Sequence, residues 1–209
     1  MDPDEPLVRA KGRQSGAGRV VIMVNETTTG ARLVDRWPSA VGLILAAAAI
    51  AGIVATKGGV DLTPGVAAMM AIYPATWATG RPMAAFLMFG GTIVVGALAF
   101  ILKLEGALVM TVVLVAAWLW AIVVGRAQDR YWFTVETVGM IFFGGLTIAA
   151  FVVDSNLGVV IAGVGWLTHG LWDAFHYVRN KIVSRNWSEL CAVVDIPVGV
   201  ALIIAGIVR

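Results

Sequence analysis

The chain holds two histidines in 209 residues, and both fall in one short segment, Thr168-His169-Gly170-Leu171-Trp172-Asp173-Ala174-Phe175-His176. On a helix, positions 169, 173 and 176 follow the i, i+4, i+7 spacing, so two imidazoles and a carboxylate form one stripe. Further on, Cys191 and Asp195 are four residues apart and share a face in the same way. Imidazole nitrogen and carboxylate oxygen are ligands for zinc-like divalent ions, and they are also the groups that carry protons near neutral pH. His169, Asp173, His176 and Asp195 are therefore the candidate polar or metal site. Glu136, Glu189 and Cys191 are its supporting members, because they too lie within or at the start of apolar sequence.

These residues are unusual because of what surrounds them. Hydrophobic residues make up 59% of the chain and charged ones only 13%, about half the charged share of a soluble domain. The apolar residues gather into seven runs: Trp37 to Thr56, Leu62 to Ala78, Met83 to Leu102, Gly106 to Val124, Tyr131 to Val153, Leu157 to Tyr177 and Ser188 to Val208. Each is close to the roughly 20 residues that a helix needs to cross about 30 Å of hydrocarbon. Lipid cannot satisfy free backbone N–H and C=O groups, and the alternation of a membrane barrel is missing. The sequence predicts an all-α, polytopic bundle of about seven transmembrane helices over 37–209, behind a polar, flexible cytoplasmic tail over 1–36. The second run is the weakest span, being short and carrying Pro74. Within the tail, Val20 to Val24 is the one stretch apolar enough to pair as a strand.

Positive charge orients the bundle. Twelve basic residues fall on the side of the N-terminus (Arg9, Lys11, Arg13, Arg19, Arg32, Arg36, Arg81, Arg126, Arg130, Arg179, Lys181 and Arg185). Lys57, Lys103 and Arg209 fall on the other. The positive-inside rule then puts the N-terminus in the cytoplasm, as expected for a multi-pass protein of a bacterial inner (plasma) membrane. Most Trp and Tyr residues lie toward the same ends of their runs. The glycine pairs Gly90-Gly91 and Gly144-Gly145 are expected to let helices approach closely.

Ionisable residues inside apolar spans are expensive and usually face a bundle interior. Hairpin counting about a connection near residues 182 to 183 puts Asp195 opposite position 170 and Cys191 opposite 174, which would join the two stripes into one pocket. Three readings of that pocket stay open. It holds a divalent metal such as zinc and activates water for hydrolysis or transfer on a lipid-soluble substrate. It is a proton or ion path of a small transporter. Or it is a structural lock between the last two helices of a non-catalytic subunit. Geometry limits the first, because His169 and His176 are about 10.5 Å apart along a helix axis, so one of them ligates and the other supports.

Other classes are disfavoured. The net charge of +2 is small and dispersed, which argues against nucleic acid as a partner and leaves the lipid bilayer as the expected one. Retinal is not expected either, because all four lysines (Lys11, Lys57, Lys103 and Lys181) lie outside the spans. The segment His169-Gly-Leu-Trp-Asp173-Ala-Phe-His176, followed by Trp187-Ser-Glu189-Leu-Cys191-Ala-Val-Val-Asp195, is similar to the C-terminal signature of small uncharacterised multi-pass membrane proteins of actinobacterial type. The resemblance spans about the last 45 residues. It implies a polytopic fold and a shared site at His169, Asp173, His176, Glu189, Cys191 and Asp195, and it implies no reaction.

Overall fold

The computed structural model describes residues 36–56, 61–153 and 155–208. They form seven α-helices: α1 (Trp37–Ala55), α2 (Thr63–Thr79), α3 (Ala85–Ile101), α4 (Gly106–Val123), α5 (Arg130–Val152), α6 (Ser155–Arg179) and α7 (Arg185–Val208). All seven apolar runs became helices, with ends displaced by at most a few residues. The expected tail over 1–36, apart from Arg36, the strand at Val20 to Val24, and the basic residues Lys57 and Arg209 lie outside the described residues.

Five helices are long and apolar enough to cross a bilayer: α1, α3 with the short 3-10 turn before it, α4, α5 and α7. The remaining two are α2, which holds Tyr73, and α6, which holds His169, Asp173 and His176. α6 has 25 residues, but its polar stripe lowers its hydropathy. α2 has only 17 residues, a rise of about 25 Å. It is nevertheless the centre of the bundle, buried at nearly every position from Val66 to Ala78 and contacting α3, α4, α5 and α6. A mostly apolar helix with no polar face belongs inside a protein or a membrane, and α2 is enclosed by its neighbours. Pro74 is accommodated within it without ending it.

The outward faces are apolar as well, with Leu43 and Ile44 on α1, Leu87 and Phe100 on α3, and Val112 on α4 exposed. That is the surface expected to meet lipid rather than water. Trp77, Trp132 and Trp187 lie near the ends of their helices, where the sequence puts most of the aromatics, and are buried in the protein core. Their rings fill the space between helix ends.

Loops on one face tie several helices together. The backbone N–H of Ser184 donates to the carbonyl of Pro82 at 3.3 Å, and Arg126 Nη2 donates to the carbonyl of Ala78 at 3.3 Å. Gly80, with φ +69, ends α2 in the left-handed conformation that glycine adopts freely, and the Arg126 guanidinium occupies the space a side chain there would need. The Arg36–Glu189 ion pair falls on the same face. That face therefore carries Arg36, Arg81, Arg126, Arg130, Arg179, Lys181 and Arg185, while Lys103 is on the opposite one.

Close helix packing comes from glycines other than those expected. Among the described residues Gly90, Gly91 and Gly145 have nothing within 4 Å of where a side chain would begin and a Cβ on Gly144 would make only an ordinary 3.4 Å contact with Leu114, while Gly90 and Gly91 line a hollow of about 800 Å³ among α2, α3 and α4. Close approach occurs instead between α6 and α7. A Cβ on Gly199 would lie 2.4 Å from the backbone N of Leu167, and one on Gly163 would lie 2.9 Å from the carbonyl O of Gly199. Paired small residues facing one another outrank adjacent glycines on one helix, because only the former bring two backbones together.

Candidate functional site

The α6–α7 hairpin sets the register of the site. A Cβ on Gly170 would meet Ile196 and the Cβ of Asp195, so Asp195 stands opposite position 170, as hairpin counting predicts. Gly170 lets α7 come close enough for Asp195 to reach the neighbouring His169. His169 Nδ1 lies 2.9 Å from Asp195 Oδ2 and 3.2 Å from Asp173 Oδ2. All three side chains are at most 2% exposed. One nitrogen thus sits between two carboxylate oxygens. Its single N–H satisfies Asp195, leaving Asp173 Oδ2 without a hydrogen bond among the described residues. His169 Nε2 is likewise buried and unpartnered there. The three ligand atoms lie within 4.8 Å of one another.

The second histidine belongs to a different group. His176 Nδ1 faces the Trp172 carbonyl at 3.0 Å, and a carbonyl only accepts, so Nδ1 carries a proton. His176 Nε2 then meets Glu136 Oε1 of α5 at 3.2 Å. One proton between them satisfies the contact, whether the pair is imidazolium and carboxylate or imidazole and carboxylic acid. Either arrangement is neutral overall. The α5–α6 packing explains the pairing: Glu136 and Phe143 are seven apart on α5, as are His176 and His169 on α6, and the Phe143 ring rests 5.0 Å from that of His169.

Tyr73 of α2 links the two groups and was missed in the sequence. Its hydroxyl hydrogen-bonds to Asp173 Oδ1, and its ring lies 5.7 Å from that of His169 and 4.5 Å from that of His176. The bond to Oδ1 holds the other oxygen, Oδ2, toward His169. A tyrosine within an otherwise apolar run, next to a proline, was the available signal.

Glu189 stands apart from these groups. It accepts hydrogen bonds from Ser39 and, at 3.3 Å, from Arg36, fastening the start of α1 to α7. Cys191 is buried in the same core cluster as Tyr73.

Counted from the helix ends on the face of the α6–α7 connection, the polar groups form three tiers. Thr76, His176 and Ser188 stand three residues in from Thr79, Arg179 and Arg185. Tyr73, Glu136, Asp173 and Cys191 stand six residues in from Thr79, Arg130, Arg179 and Arg185. His169 and Asp195 stand ten in from Arg179 and Arg185, a depth of about 15 Å, or half the hydrocarbon layer.

Beside the site, a lateral cleft of about 520 Å³ opens between α5 and α6. Tyr131, Thr134, Gly139, Phe143, Thr168 and Trp172 are among its lining residues. Phe143 contacts both Trp172 and His169, so a ring separates the cleft from the imidazole. Compared with protein-family models, with curated proteins and with solved structures, the chain matches none of them.

Proposed function

We propose that this chain is a membrane-embedded metalloprotein in which His169, Asp173 and Asp195 hold one divalent, zinc-like cation, and that it acts as a metal-assisted enzyme on a lipid-soluble substrate. The observation that carries the reading is the convergence of one imidazole nitrogen and two carboxylate oxygens in a fully buried space. Charge supports it. The His176–Glu136 pair is neutral by itself, whereas two ionised carboxylates around one imidazole leave the cluster negative whether or not the imidazole is protonated, and a divalent ion would offset that charge. Unpaired charge in a low-dielectric interior is costly, so a counter-charge is the natural occupant. Spacing supports it too. Tetrahedral zinc with ligand bonds of about 2.0–2.1 Å spaces neighbouring ligand atoms about 3.4 Å apart, and contacts of 2.9 and 3.2 Å need only a small expansion to admit it.

An ion in that position lowers the pKa of water beside it and makes a nucleophile available near neutral pH. The protein's own residues supply the rest. Tyr73 orients Asp173 through the oxygen that does not face the site, as outer partners of metal ligands commonly do. His176 and Glu136 share one transferable proton a tier closer to the membrane surface. The cleft between α5 and α6 would admit a hydrocarbon chain from the bilayer as far as Phe143, whose ring must turn aside for the chain to reach His169. The basic face belongs in the cytoplasm by the positive-inside rule, which puts the N-terminus inside, and the bacterial plasma membrane is the proposed location.

The test is metal analysis of detergent-purified protein. One equivalent of a divalent ion in the wild type, lost in His169→Ala and in Asp195→Ala but kept in Glu189→Ala, is the expected result; wild-type protein that is purified free of metal and takes none up on titration refutes it. A proton-carrier reading is favoured by the same excess charge, which a proton on one carboxylate also reduces. It requires pH-dependent flux in proteoliposomes that Asp173→Asn abolishes. A purely structural lock requires stability to fall in these variants with neither metal nor flux involved.

A further inference from the structure

Two hydroxyl groups are left without a role in the site described so far. Thr76 Oγ1 and Ser188 Oγ are fully buried, and neither has a hydrogen-bond partner among the described residues. Helical threonines in this bundle ordinarily turn their hydroxyl back to a carbonyl three or four residues earlier, as Thr92, Thr111, Thr137, Thr147 and Thr168 do. Thr76 and Ser188 have the same option and do not take it. A buried hydroxyl without a protein partner is the usual mark of an ordered water.

Their depth gives the observation direction. Both stand in the tier nearest the helix ends, at the depth of His176 and one tier short of Tyr73, Glu136, Asp173 and Cys191. Polar groups thus follow one another every three or four residues, about 4.5–6 Å, from the helix ends down to His169 and Asp195. Beyond that depth the facing residues of α6 and α7 are apolar, among them Ala162, Val198 and Leu202, all buried. At the surface end, Ile182 and Val183 of the α6–α7 connection are buried in the core cluster that contains Trp77, Trp187 and Cys191.

We propose that this column is a one-sided aqueous path. Water, carrying protons or a small hydrated cation, reaches His169 and Asp195 from the face of the α6–α7 connection, past Thr76 and Ser188, and goes no further. Ile182 and Val183 form its apolar seal, and the path stands whatever the deepest tier holds.

Cys191, the chain's single cysteine, lies in the middle tier and reports on the path. The probe is a small, positively charged methanethiosulfonate, applied to the full-length protein in sealed vesicles of either orientation; the thiolate displaces sulfinate and forms a mixed disulfide only where water reaches it. Wild-type Cys191 is expected to react slowly and from one face. Val183→Ala and Ile182→Ala are expected to react about tenfold faster from that same face, since thiol reactivity follows access and thiolate fraction. Cys191→Ser confirms the position of the label, and unchanged tryptophan fluorescence confirms that the variants are folded. Folded Val183→Ala protein that the charged reagent never labels, or labels equally from both faces, overturns the path. Metal content measured on the same preparations tests the cation site separately.

Discussion

Substituting Gly199 with alanine tests whether backbone contact between α6 and α7 assembles the site. The added Cβ would lie 2.4 Å from the backbone N of Leu167 and 2.8 Å from both Leu167 Cα and the Gly163 carbonyl O, where ordinary contact begins at 3.4 Å. These are backbone atoms and cannot swing aside, so the helices must part by about 1 Å at that level. Overpacking of this kind costs about 1–3 kcal/mol. The displacement also reaches the site, because Asp195 is one turn from Gly199. An opening of about 0.6 Å there takes the 2.9 Å His169–Asp195 contact to the limit of a hydrogen bond. Metal affinity should then fall about 10–100-fold, the range seen when the support of a ligand is disturbed. Unfolding in mixed micelles, followed by tryptophan fluorescence, measures the first quantity, and metal titration the second. Gly90→Ala is the control, since its Cβ would have nothing within 4 Å, and alanine is the better helix former. If Gly199→Ala unfolds with the wild type, or if Gly90→Ala is equally harmful, the packing argument is wrong.

Other expectations follow from single contacts. Tyr73→Phe should keep the fold but weaken metal binding about 10–100-fold, because Asp173 loses the bond that orients it; metal titration of folded protein decides it. Glu136→Ala and His176→Ala should each destabilise the protein by about 3–5 kcal/mol, and the double variant by less than their sum, since either single change strands a buried partner. A double-mutant cycle that adds up would remove the pairing. Trp166→Phe should cost about 1 kcal/mol through loss of the 3.0 Å bond to the Leu62 carbonyl, leaving metal content unchanged.

How much of this was legible in the sequence depended on whether the information was local. The stripe of His169, Asp173 and His176 follows from helical spacing alone, and the short 180–184 connection let Asp195 be placed opposite position 170. Glu136, a supporting candidate in the sequence, meets the polar site through His176 rather than through His169. Long-range pairing was harder to read. Tyr73 is a hundred positions from its partner Asp173, and an apolar helix such as α2 has no polar face to indicate which neighbour it turns to. Glu189, six residues before Asp195, lies off the Cys191–Asp195 face by helical periodicity, and it is turned toward α1 by Ser39 and Arg36, partners that periodicity does not name. The glycine pairs show the same limit: adjacency along the chain was visible, whereas facing across two helices was not.

The polar stripe of α6 bears on the order of events during synthesis. A carboxylate at the centre of a lone inserting helix costs about 2.5–3.5 kcal/mol, and α6 adds two imidazoles to it. Asp195, which contacts His169, arrives only with the following helix. Tyr73 and Glu136, the partners of Asp173 and His176, are already made when α6 appears, whereas the His169–Asp195 contact forms only when α7 emerges, so α6 and α7 seat best as a couple against α2 and α5. A chain ended just after residue 184 would offer α6 Tyr73 and Glu136 but no carboxylate from α7, and would hold it less firmly in the bilayer.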